Sequence, residues 1–312
     1  MSAKEPATPR AIRKTFLARE QSEGAGARVR RSIGTPQQQN LTPFLMLDHF
    51  RVPHGAGFPD HPHRGQETIT YLMEGSIDHE DFAGNKGTIG PGDLQFMTAG
   101  RGVMHAEMPG STTEINTGMQ LWVDLPEKLK SCEPRYRDLR ADEIPQAQSA
   151  DGRVSIKVIS GRALGVDSVQ DLAYTPVWLL DVTIQPGGRL AQEIPKDWNA
   201  FAYTLSGLTS FANGSYEVAA TAAAQEHVQP YHIVIFQQQG DEIIAQVEQG
   251  ASEPARFILV AGQPHDQPIV QYGPFVTTSR DAVIQAMQDF HNHANGFERA
   301  KNWQSEIGKS MM

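Results

Sequence analysis

Two short runs of the chain carry residue types that bind transition metals. Residues 61–67 read HPHRGQE, and residues 105–107 read HAE. On a β-strand the side chains of residues i and i+2 point to one face, so His61 projects with His63, and His105 with Glu107. Two strands that bring these pairs face to face would place three imidazoles and one carboxylate around one point. That ligand set suits a first-row divalent metal ion.

The coordination positions left over determine what such a site can do. Three neutral imidazoles and one carboxylate leave a net charge of about +1 on a divalent ion. An octahedral ion would keep roughly two positions for water, dioxygen or a bidentate substrate. Iron fits a mixed nitrogen and oxygen site of this kind. Manganese, nickel, cobalt, copper or zinc would also bind, so the ligand types leave the metal open.

A second glutamate competes for the carboxylate position. Glu67 follows His63 by four residues, so strand parity puts it on the same face, and spacing does not choose between Glu67 and Glu107. The one that does not bind the metal could instead accept a hydrogen bond from a ligand histidine and orient it. His291 and His293 form another His-x-His pair, but they lie at the end of a predicted helix. Residues i and i+2 of a helix point about 200° apart, so no metal site is expected there.

The bulk composition indicates a globular protein. The chain has 312 residues, of which 39% are hydrophobic and 20% charged, with a formal net charge of −9. Its length fits one large domain or two of about 150 residues each. The negative charge disfavours direct binding to nucleic acid or to an anionic membrane surface. No run of about 18 apolar residues is present, so no membrane span is predicted.

Charge and cysteine usage bear on partners and compartment. Residues 1–40 contain eight basic and three acidic residues, a balance of +5 that leaves −14 for the rest. Arg28, Arg30 and Arg31 form the densest basic run, a candidate partner surface. Cys132 is the single cysteine, so no intramolecular disulfide can form, which suits a reducing compartment. The first residues, MSAKEPATPR, lack the apolar core of a secretory signal, and we expect a cytoplasmic monomer, with a nuclear location also open in a eukaryote.

Most of the chain is typical of short strands separated by turns. The turns are rich in Gly, Pro, Asn and Asp, a pattern that predicts an all-β sandwich or barrel. Residues 127–150 are polar and contain two prolines, so they are predicted to be a linker region. Predicted strands on either side of it include residues 68–73, 94–97, 119–123, 154–159, 178–184, 201–205, 233–236 and 256–260.

The two halves show signs of an internal repeat. The run YLMEG at 71–75 aligns with YTLSG at 203–207. At that offset His61 corresponds to Glu193 and His63 to Pro195, so the second half lacks the His-x-His pair. Proline has no side-chain ligand atom, and a second metal site of the same kind is therefore not expected.

A helix is predicted near the C-terminus. Ser279 can cap its start, and Asn295-Gly296 would stop it. A further short helix is predicted between Phe297 and Ile307. The apolar stripe of the first helix consists of Val283, Ile284, Met287 and Phe290.

Long motifs in the chain resemble the pirin family of the cupin superfamily. The resemblance extends in order from about residue 12 to residue 309. Its longest run is DHPHRGQETITYLMEGSIDHEDFAGNKGTIGPGDLQFMTAGRGVMHAEMP at 60–109. Shorter runs are REQSEGAGARVRRSIG at 19–34, PFLMLDHF at 43–50, MQLWVDLP at 119–126, YGPFV at 272–276 and GFERAKNWQSEIG at 296–308.

The resemblance implies a fold and a ligand set. The fold would be a bicupin, two stacked antiparallel β-barrels of jelly-roll type with a short C-terminal helix. The domains would be a metal-binding barrel at 1–130, a linker at 131–150, and a second barrel with the C-terminal helix, lacking metal ligands, at 151–312. Matched position by position, the ligands of one iron ion per chain, Fe(II) or Fe(III), fall on His61, His63, His105 and Glu107. The resemblance thus favours Glu107 over Glu67.

Two functions are attributed to the family. One is quercetin 2,3-dioxygenase activity, in which O2 opens a flavonol ring with loss of carbon monoxide. Glu107 would then be the candidate base for the flavonol 3-hydroxyl. The other function is redox-sensitive transcriptional co-regulation, including enhancement of NF-kappa-B binding to DNA, which would act through a transcription-factor partner. Candidate residues to stack a flat substrate are Met46, Phe50, Phe58, Phe96, Met97 and Met104.

Overall fold

The computed structural model describes residues 7–110, 114–170, 172–213 and 225–309, and most of them lie in antiparallel sheets. In chain order the strands are β1 (Ile12–Leu17), β2 (Glu20–Glu23), β3 (Ala27–Ile33), β4 (Phe44–Pro53), β5 (Phe58–His63), β6 (Gln66–Glu74), β7 (Ile77–Asp81), β8 (Lys86–Ile89), β9 (Leu94–Thr98), β10 (Val103–Pro109), β11 (Ile115–Asp124), β12 (Arg135–Leu139), β13 (Gln146–Gln148), β14 (Val154–Ser160), β15 (Arg162–Ala163), β16 (Val166–Asp167), β17 (Val177–Ile184), β18 (Arg189–Glu193), β19 (Asn199–Ser206), β20 (Thr209–Ala212), β21 (Gln225–Val228), β22 (His232–Phe236), β23 (Glu242–Gln246), β24 (Ala255–Gly262), β25 (Val270–Tyr272) and β26 (Phe275–Thr277). The helix α1 spans Arg280–His291, and 3₁₀ turns span Glu127–Leu129 and Glu298–Asn302.

The first barrel, called the N-terminal barrel below, consists of two sheets. The larger has the strand order β12-β9-β6-β11-β4-β3-β2, and the smaller has the order β5-β10-β7-β8. The central strand β6 reads QETITYLME and is rich in β-branched and aromatic residues, which fit a pleated surface. It ends at Glu74, and the next residue is Gly75, whose φ of +89° favours glycine and where a Cβ would collide with the side chain of Asn116.

The second barrel, called the C-terminal barrel, repeats this arrangement. Its larger sheet has the order β1-β22-β19-β24-β17-β14-β13, and its smaller sheet has the order β18-β23-β20-β21. Thus β19 occupies the place of β6, and the pair β18 and β23 occupies the place of β5 and β10. The alignment of YLMEG with YTLSG falls on β6 and β19. The all-β fold with two barrels is confirmed.

The compact units of the structure are not continuous stretches of chain. One unit groups the described residues of 1–18, 144–171 and 176–264, and the other groups 19–143, 172–175 and 265–312. The first strand, β1, pairs with β22, which places the N-terminal segment in the sheet of the C-terminal barrel. The division of the chain into domains at residues 130 and 150 stays a prediction.

The helix α1 belongs to the unit of the N-terminal barrel. The Ser279 hydroxyl accepts from the Ala282 amide at 3.2 Å, as a helix cap does. The predicted stripe is only partly right. Val283 and Ala286 are buried with Phe297, whereas Ile284 and Met287 are exposed. The packed face is therefore rotated toward Ala286. The predicted second helix is the single 3₁₀ turn Glu298–Asn302.

No helix in the described ranges is both long enough and apolar enough to span a lipid bilayer.

Candidate metal centre

The pairing of β5 with β10 brings the predicted histidines together. His61 lies opposite His105, and His63 lies opposite Val103. Residues directly opposite each other on an antiparallel pair project to the same face, so His61, His63 and His105 share one face of this sheet. The register shifts between His105 and Glu107, where a β-bulge places Glu107 opposite Phe58. A bulge re-aims the side chains on either side of it.

The three imidazoles converge on one point. One ring nitrogen from each of His61, His63 and His105 lies within 4.8 Å of the others. The Nε2 atoms of His61 and His105 are 3.0 Å apart, and the three ring centroids are 4.4 to 5.0 Å from one another. His63 and His105 are each only 1% exposed, while His61 is half-buried. The cluster therefore opens to its surroundings on the side of His61.

These contacts suit a metal ion. The Nδ1–H of His61 donates to the Pro59 carbonyl oxygen at 2.8 Å, an arrangement that leaves Nε2 with a lone pair. Two nitrogen lone pairs 3.0 Å apart repel unless a proton or a cation lies between them. A metal ion about 2.1 Å from each nitrogen, with an angle of about 90° between the two metal–nitrogen bonds, would hold the nitrogens about 3.0 Å apart. The Nε2 atom of His63 is also buried without a hydrogen-bond partner. The residues present therefore fit a metal held by imidazole nitrogens.

Burial and neighbouring rings favour the neutral form of two of these imidazoles, those of His63 and His105. Burial lowers the pKa of His63 well below its usual range, and the neighbouring His61 lowers it further. Burial likewise lowers the pKa of His105 well below its usual range, with further contributions from His61, His63 and His79. A neutral imidazole is the form that binds metals, because protonation removes the lone pair.

Glu107 lies close to this cluster, but its carboxylate does not belong to the converging group, which consists of ring nitrogens. One carboxylate oxygen is 3.1 Å from the Thr70 hydroxyl, whose one proton it shares with the Gln120 amide oxygen at 2.6 Å, and the other is 3.5 Å from the Gln120 amide nitrogen. It is 7% exposed and lines the same cavity as His61 and His63. Among the residues that the structure describes, the group of ligand atoms within 4.8 Å of one another comes from His61, His63 and His105. Metal coordination by Glu107 stays a prediction.

The Glu67 carboxylate makes its hydrogen bonds with residues outside the histidine cluster. Its carboxylate accepts from the backbone amides of Tyr174 and Thr175 at 3.0 and 3.1 Å and from the Thr98 hydroxyl at 2.8 Å. Burial raises the pKa of Glu67, although these three hydrogen bonds act in the opposite direction. Strand parity does not carry from His63 to Glu67, because the chain turns at Gly65 between β5 and β6.

A cavity of about 840 Å³ adjoins the histidines. His61, His63 and Glu107 line it together with Thr70 and Gln120. Of the six predicted stacking residues, Met46, Phe50 and Phe58 line the cavity. Phe96, Met97 and Met104 do not: the first two are buried in the core, and Met104 packs against the cluster around Phe297.

The predicted basic surface is largely paired with acidic residues. Arg28 and Arg30 lie 3.0 and 3.6 Å from the carboxylate of Glu20. Arg31 binds Asp48 through two hydrogen bonds of 2.9 and 2.7 Å and also contacts Glu23. Val29 is buried between them, as expected for alternation along β3. Arg31 faces the cavity, so the three arginines do not form one solvent-facing patch.

Several residues at the site were not singled out from the sequence. Gln66 contacts His63, Thr70 and Gln120 contact Glu107, and Trp122 packs edge-on against His63 with ring centroids 5.0 Å apart. A signal for them existed in period-2 alternation: Gln66, Thr68 and Thr70 alternate along β6, and Gln120 and Trp122 alternate along β11. Polar residues at alternating positions of a strand within a barrel indicate a face that lines a polar interior.

Two family models match the chain. The model described as Pirin matches residues 26–123, which include all three histidines and Glu107. The model described as Pirin C-terminal cupin domain matches residues 179–296.

Curated relatives and a solved structure agree with these matches. Pirin of Homo sapiens is 48% identical over 295 residues, covering 94% of this chain and 97% of that protein. A pirin-like protein of Solanum lycopersicum is 48% identical over 299 residues, covering 96% and 97%. The crystal structure of quercetin 2,3-dioxygenase from Acinetobacter baumannii superposes with a TM-score of 0.80 at 26% identity, covering 91% of this chain and 98% of that one.

Proposed function

The chain belongs to the pirin family, and we propose that it is an iron-dependent dioxygenase that opens a flavonol ring with O2. The observation that carries this proposal is the convergence of His61, His63 and His105 beside a cavity of about 840 Å³. Three converging imidazoles with an open side toward a cavity provide both a metal-binding site and room for a substrate. The structural likeness to a quercetin 2,3-dioxygenase supports this choice of reaction.

In this proposal one iron ion per chain sits in the N-terminal barrel. His61, His63 and His105 would hold it, with Glu107 as the fourth protein ligand. Iron bound there would supply a Lewis acid and one-electron exchange with O2, chemistry that protein side chains alone lack. Other first-row divalent metals would fit the same imidazoles. The C-terminal barrel offers no matching histidines on β18 and β23, which read RLAQE and EIIAQ.

The cavity suits a small planar substrate. Pockets for ligands of this size are typically about 300–1,000 Å³ and largely apolar. Met46, Phe50 and Phe58 supply apolar wall, and Trp122 adds a flat aromatic surface beside His63. Such side chains would stack on the rings of a flavonol and orient its hydroxyl groups toward the histidines.

Glu107 is the candidate base in this reaction. Its carboxylate faces the same cavity as the histidines, so it can reach a hydroxyl proton of a ligand bound there. Thr70 and Gln120, which are hydrogen-bonded to each other at 2.6 Å, both lie next to the Glu107 carboxylate and restrict its position. Removal of the flavonol 3-hydroxyl proton would make that oxygen an anion, which a cationic centre stabilises.

The test is turnover by the iron-loaded protein. Anaerobic reconstitution with Fe(II), followed by quercetin and O2, should cause loss of flavonol absorbance and release of carbon monoxide. His61→Ala removes one of the converging nitrogens and should abolish turnover. Full iron occupancy without any turnover of quercetin would contradict the proposed reaction.

A second candidate function is a redox-sensitive transcriptional co-regulator that binds a protein partner. The observation that favours it is the position of Arg31, which lines the same cavity as the histidines and is bound to Asp48 and Glu23. A change of metal charge would act electrostatically on this ion-paired group, which adjoins Arg28 and Arg30 on β3. A transcription-factor partner would then bind the reduced and oxidised forms with different affinity, and equal affinities would exclude this mechanism.

A further inference from the structure

Gln66 makes a contact with the metal cluster that the ligand motif does not reveal. Its side chain is completely buried, with 0% exposure. The amide nitrogen, as placed, lies 2.7 Å from Nδ1 of His63. Because this contact occupies Nδ1, only Nε2 of His63 is left to bind a metal. That Nε2 atom is buried and has no hydrogen-bond partner.

The turn between β5 and β6 makes this contact possible. Gly65 has a φ of +77°, and a Cβ there would collide with the Val276 carbonyl oxygen. Only glycine tolerates both constraints, so the chain reverses within two residues and Gln66 returns onto His63. The Ala99 amide donates to the Gln66 carbonyl oxygen at 2.9 Å, which fixes the backbone from which the side chain extends.

The direction of the hydrogen bond decides which imidazole nitrogen can bind a metal. A neutral imidazole carries one proton, so one nitrogen donates and the other has a lone pair. If the Gln66 amide nitrogen donates to Nδ1, the proton lies on Nε2, and Nε2 cannot coordinate. The oxygen and nitrogen of a side-chain amide are assigned from their surroundings, and Oε1 of Gln66 has no partner in its placed orientation. A half-turn of the amide brings Oε1 onto Nδ1.

We propose that Gln66 is a positioning residue for the metal: its side-chain oxygen accepts from Nδ1–H of His63 and thereby fixes the tautomer whose Nε2 binds the ion. The inference rests on the proposed metal site and adds a residue to it. The Pro59 carbonyl oxygen does the same for His61, since it accepts from Nδ1–H at 2.8 Å. For His63 the proposed acceptor is a side chain, so a substitution can remove it and test the proposal.

Metal affinity gives the first test. Gln66→Met keeps the side-chain length and removes the hydrogen bond, whereas Gln66→Glu keeps an acceptor and removes the donor. The matched control is Gln192→Met, because Gln192 is a buried glutamine of the C-terminal barrel that donates to the carbonyl oxygens of Arg162 and Glu193. Ni(II) is the probe, an air-stable divalent ion whose dissociation constant is measured by competition with a chromophoric chelator.

The expected changes follow from the role of the acceptor. Gln66→Met should weaken Ni(II) binding about 10- to 100-fold, the usual cost of losing a partner that orients a ligand histidine. Gln66→Glu should bind Ni(II) at least as tightly as the wild type, and Gln192→Met should leave the constant within about twofold. An unchanged constant in Gln66→Met, or a loss in Gln66→Glu equal to that in Gln66→Met, would overturn the assignment. A wild type that binds no Ni(II) would instead overturn the metal site.

The tautomer can also be observed without any variant, which covers the case in which Gln66→Met does not fold. In the full chain loaded with diamagnetic Zn(II), long-range ¹H–¹⁵N correlation spectra distinguish the two nitrogens of each histidine. His63 should show a protonated Nδ1 and a metal-bound Nε2. A protonated Nε2, or a metal bound through Nδ1, would refute the proposed role of Gln66.

Discussion

The two barrels share a strand order and differ in what fills them. In the N-terminal barrel, β5 and β10 carry three buried or half-buried histidines beside a cavity of about 840 Å³. In the C-terminal barrel the matching strands place Leu190, Ile243 and Ala245 in a continuous apolar core. Glu193, at the place expected for His61, is exposed on β18. The same strand order thus supports either a histidine cluster beside a cavity or a packed apolar interior.

This difference has an energetic consequence. The C-terminal core includes Phe211, Phe236 and Phe257, whose rings pack at centroid distances of 5.3 to 5.7 Å. The interior of the N-terminal barrel instead holds polar groups, several of which lack hydrogen-bond partners, including His63 Nε2 and His105 Nδ1. Buried polar groups without partners destabilise a fold, and a bound metal would compensate some of that cost.

The largest expected effect concerns metal binding. His63→Ala removes a fully buried ligand nitrogen and should weaken metal affinity by more than about 100-fold, beyond the effect of losing an orienting partner. His227→Ala in the C-terminal barrel is the control, because His227 is exposed and bonds only Ser210 among the contacts described. Metal content after dialysis checks both variants. If His63→Ala retained as much metal as His227→Ala, the expected difference in metal binding between the two barrels would be wrong.

A substitution in the apolar core of the C-terminal barrel should lower stability without changing metal affinity. Phe211 is fully buried and contacts Phe236 and Phe257 edge-on. Phe211→Ala leaves a cavity in this core and should lower the free energy of unfolding by about 3–5 kcal/mol. Urea denaturation measures the loss, and metal affinity measured in the absence of urea should stay at the wild-type value. A variant that loses metal and keeps its stability would contradict this division of roles.

A smaller effect is expected at the edge of the metal centre. Thr70→Val keeps the side-chain shape and removes the hydroxyl that lies 3.1 Å from the Glu107 carboxylate and 2.6 Å from Oε1 of Gln120. If Glu107 binds the metal, the lost hydrogen bond should weaken affinity by about 1 kcal/mol, or roughly fivefold. Thr204→Val is the counterpart, since Thr204 lies on β19 and its hydroxyl donates to the Gln229 carbonyl oxygen. It should leave metal affinity unchanged, and equal affinities for both variants would place Glu107 outside the coordination sphere.

The strands and the shared face of His61 and His63 could be predicted from the sequence because both depend on local spacing, whereas the meeting of this pair with His105 was implied by the family resemblance. The alternation at His61 and His63 survives folding, since both residues lie on the continuous strand β5. The same rule fails for Glu67, because Gly65 reverses the chain and breaks the parity. It is also disturbed at Glu107, where a β-bulge shifts the register on β10.

Contacts between distant parts of the chain could not be predicted in this way. The pairing of β1 with β22 joins strands that are far apart in the sequence, and no periodicity within either strand specifies its partner. The orienting contact of Gln66 depends on the conformation of Gly65, which a sequence pattern indicates only as a turn. Local spacing therefore predicted which residues share a face of a strand, and the tertiary fold determined which of them contact one another.

The smallest predicted effect tests how the strand that carries His61 and His63 is anchored. Arg64, next to His63, binds Asp289 of α1 at 2.7 Å. Burial acts to raise the pKa of Asp289, but hydrogen bonds from Arg64, Asn295 and Gln285 outweigh it and lower the pKa. A lowered pKa means that the ionised form stabilises the folded state above the ordinary aspartate pKa of about 3.9. This stabilisation is lost as the pH falls through the lower, folded-state value.

Asp289→Asn should therefore be less stable than the wild type at pH 7, by about 1–2 kcal/mol, with the difference shrinking below about pH 4. Asp181→Asn in the C-terminal barrel is the matched change, because Asp181 is also buried and binds Arg256. Urea titrations at pH 7 and pH 3 measure both. If both variants lose stability and keep the metal affinity of the wild type, the ion pair between Arg64 and Asp289 has a structural role. If Asp289→Asn also weakens metal binding while Asp181→Asn does not, the helix holds the ligands in place, and the two barrels differ in their supports as well as in their interiors.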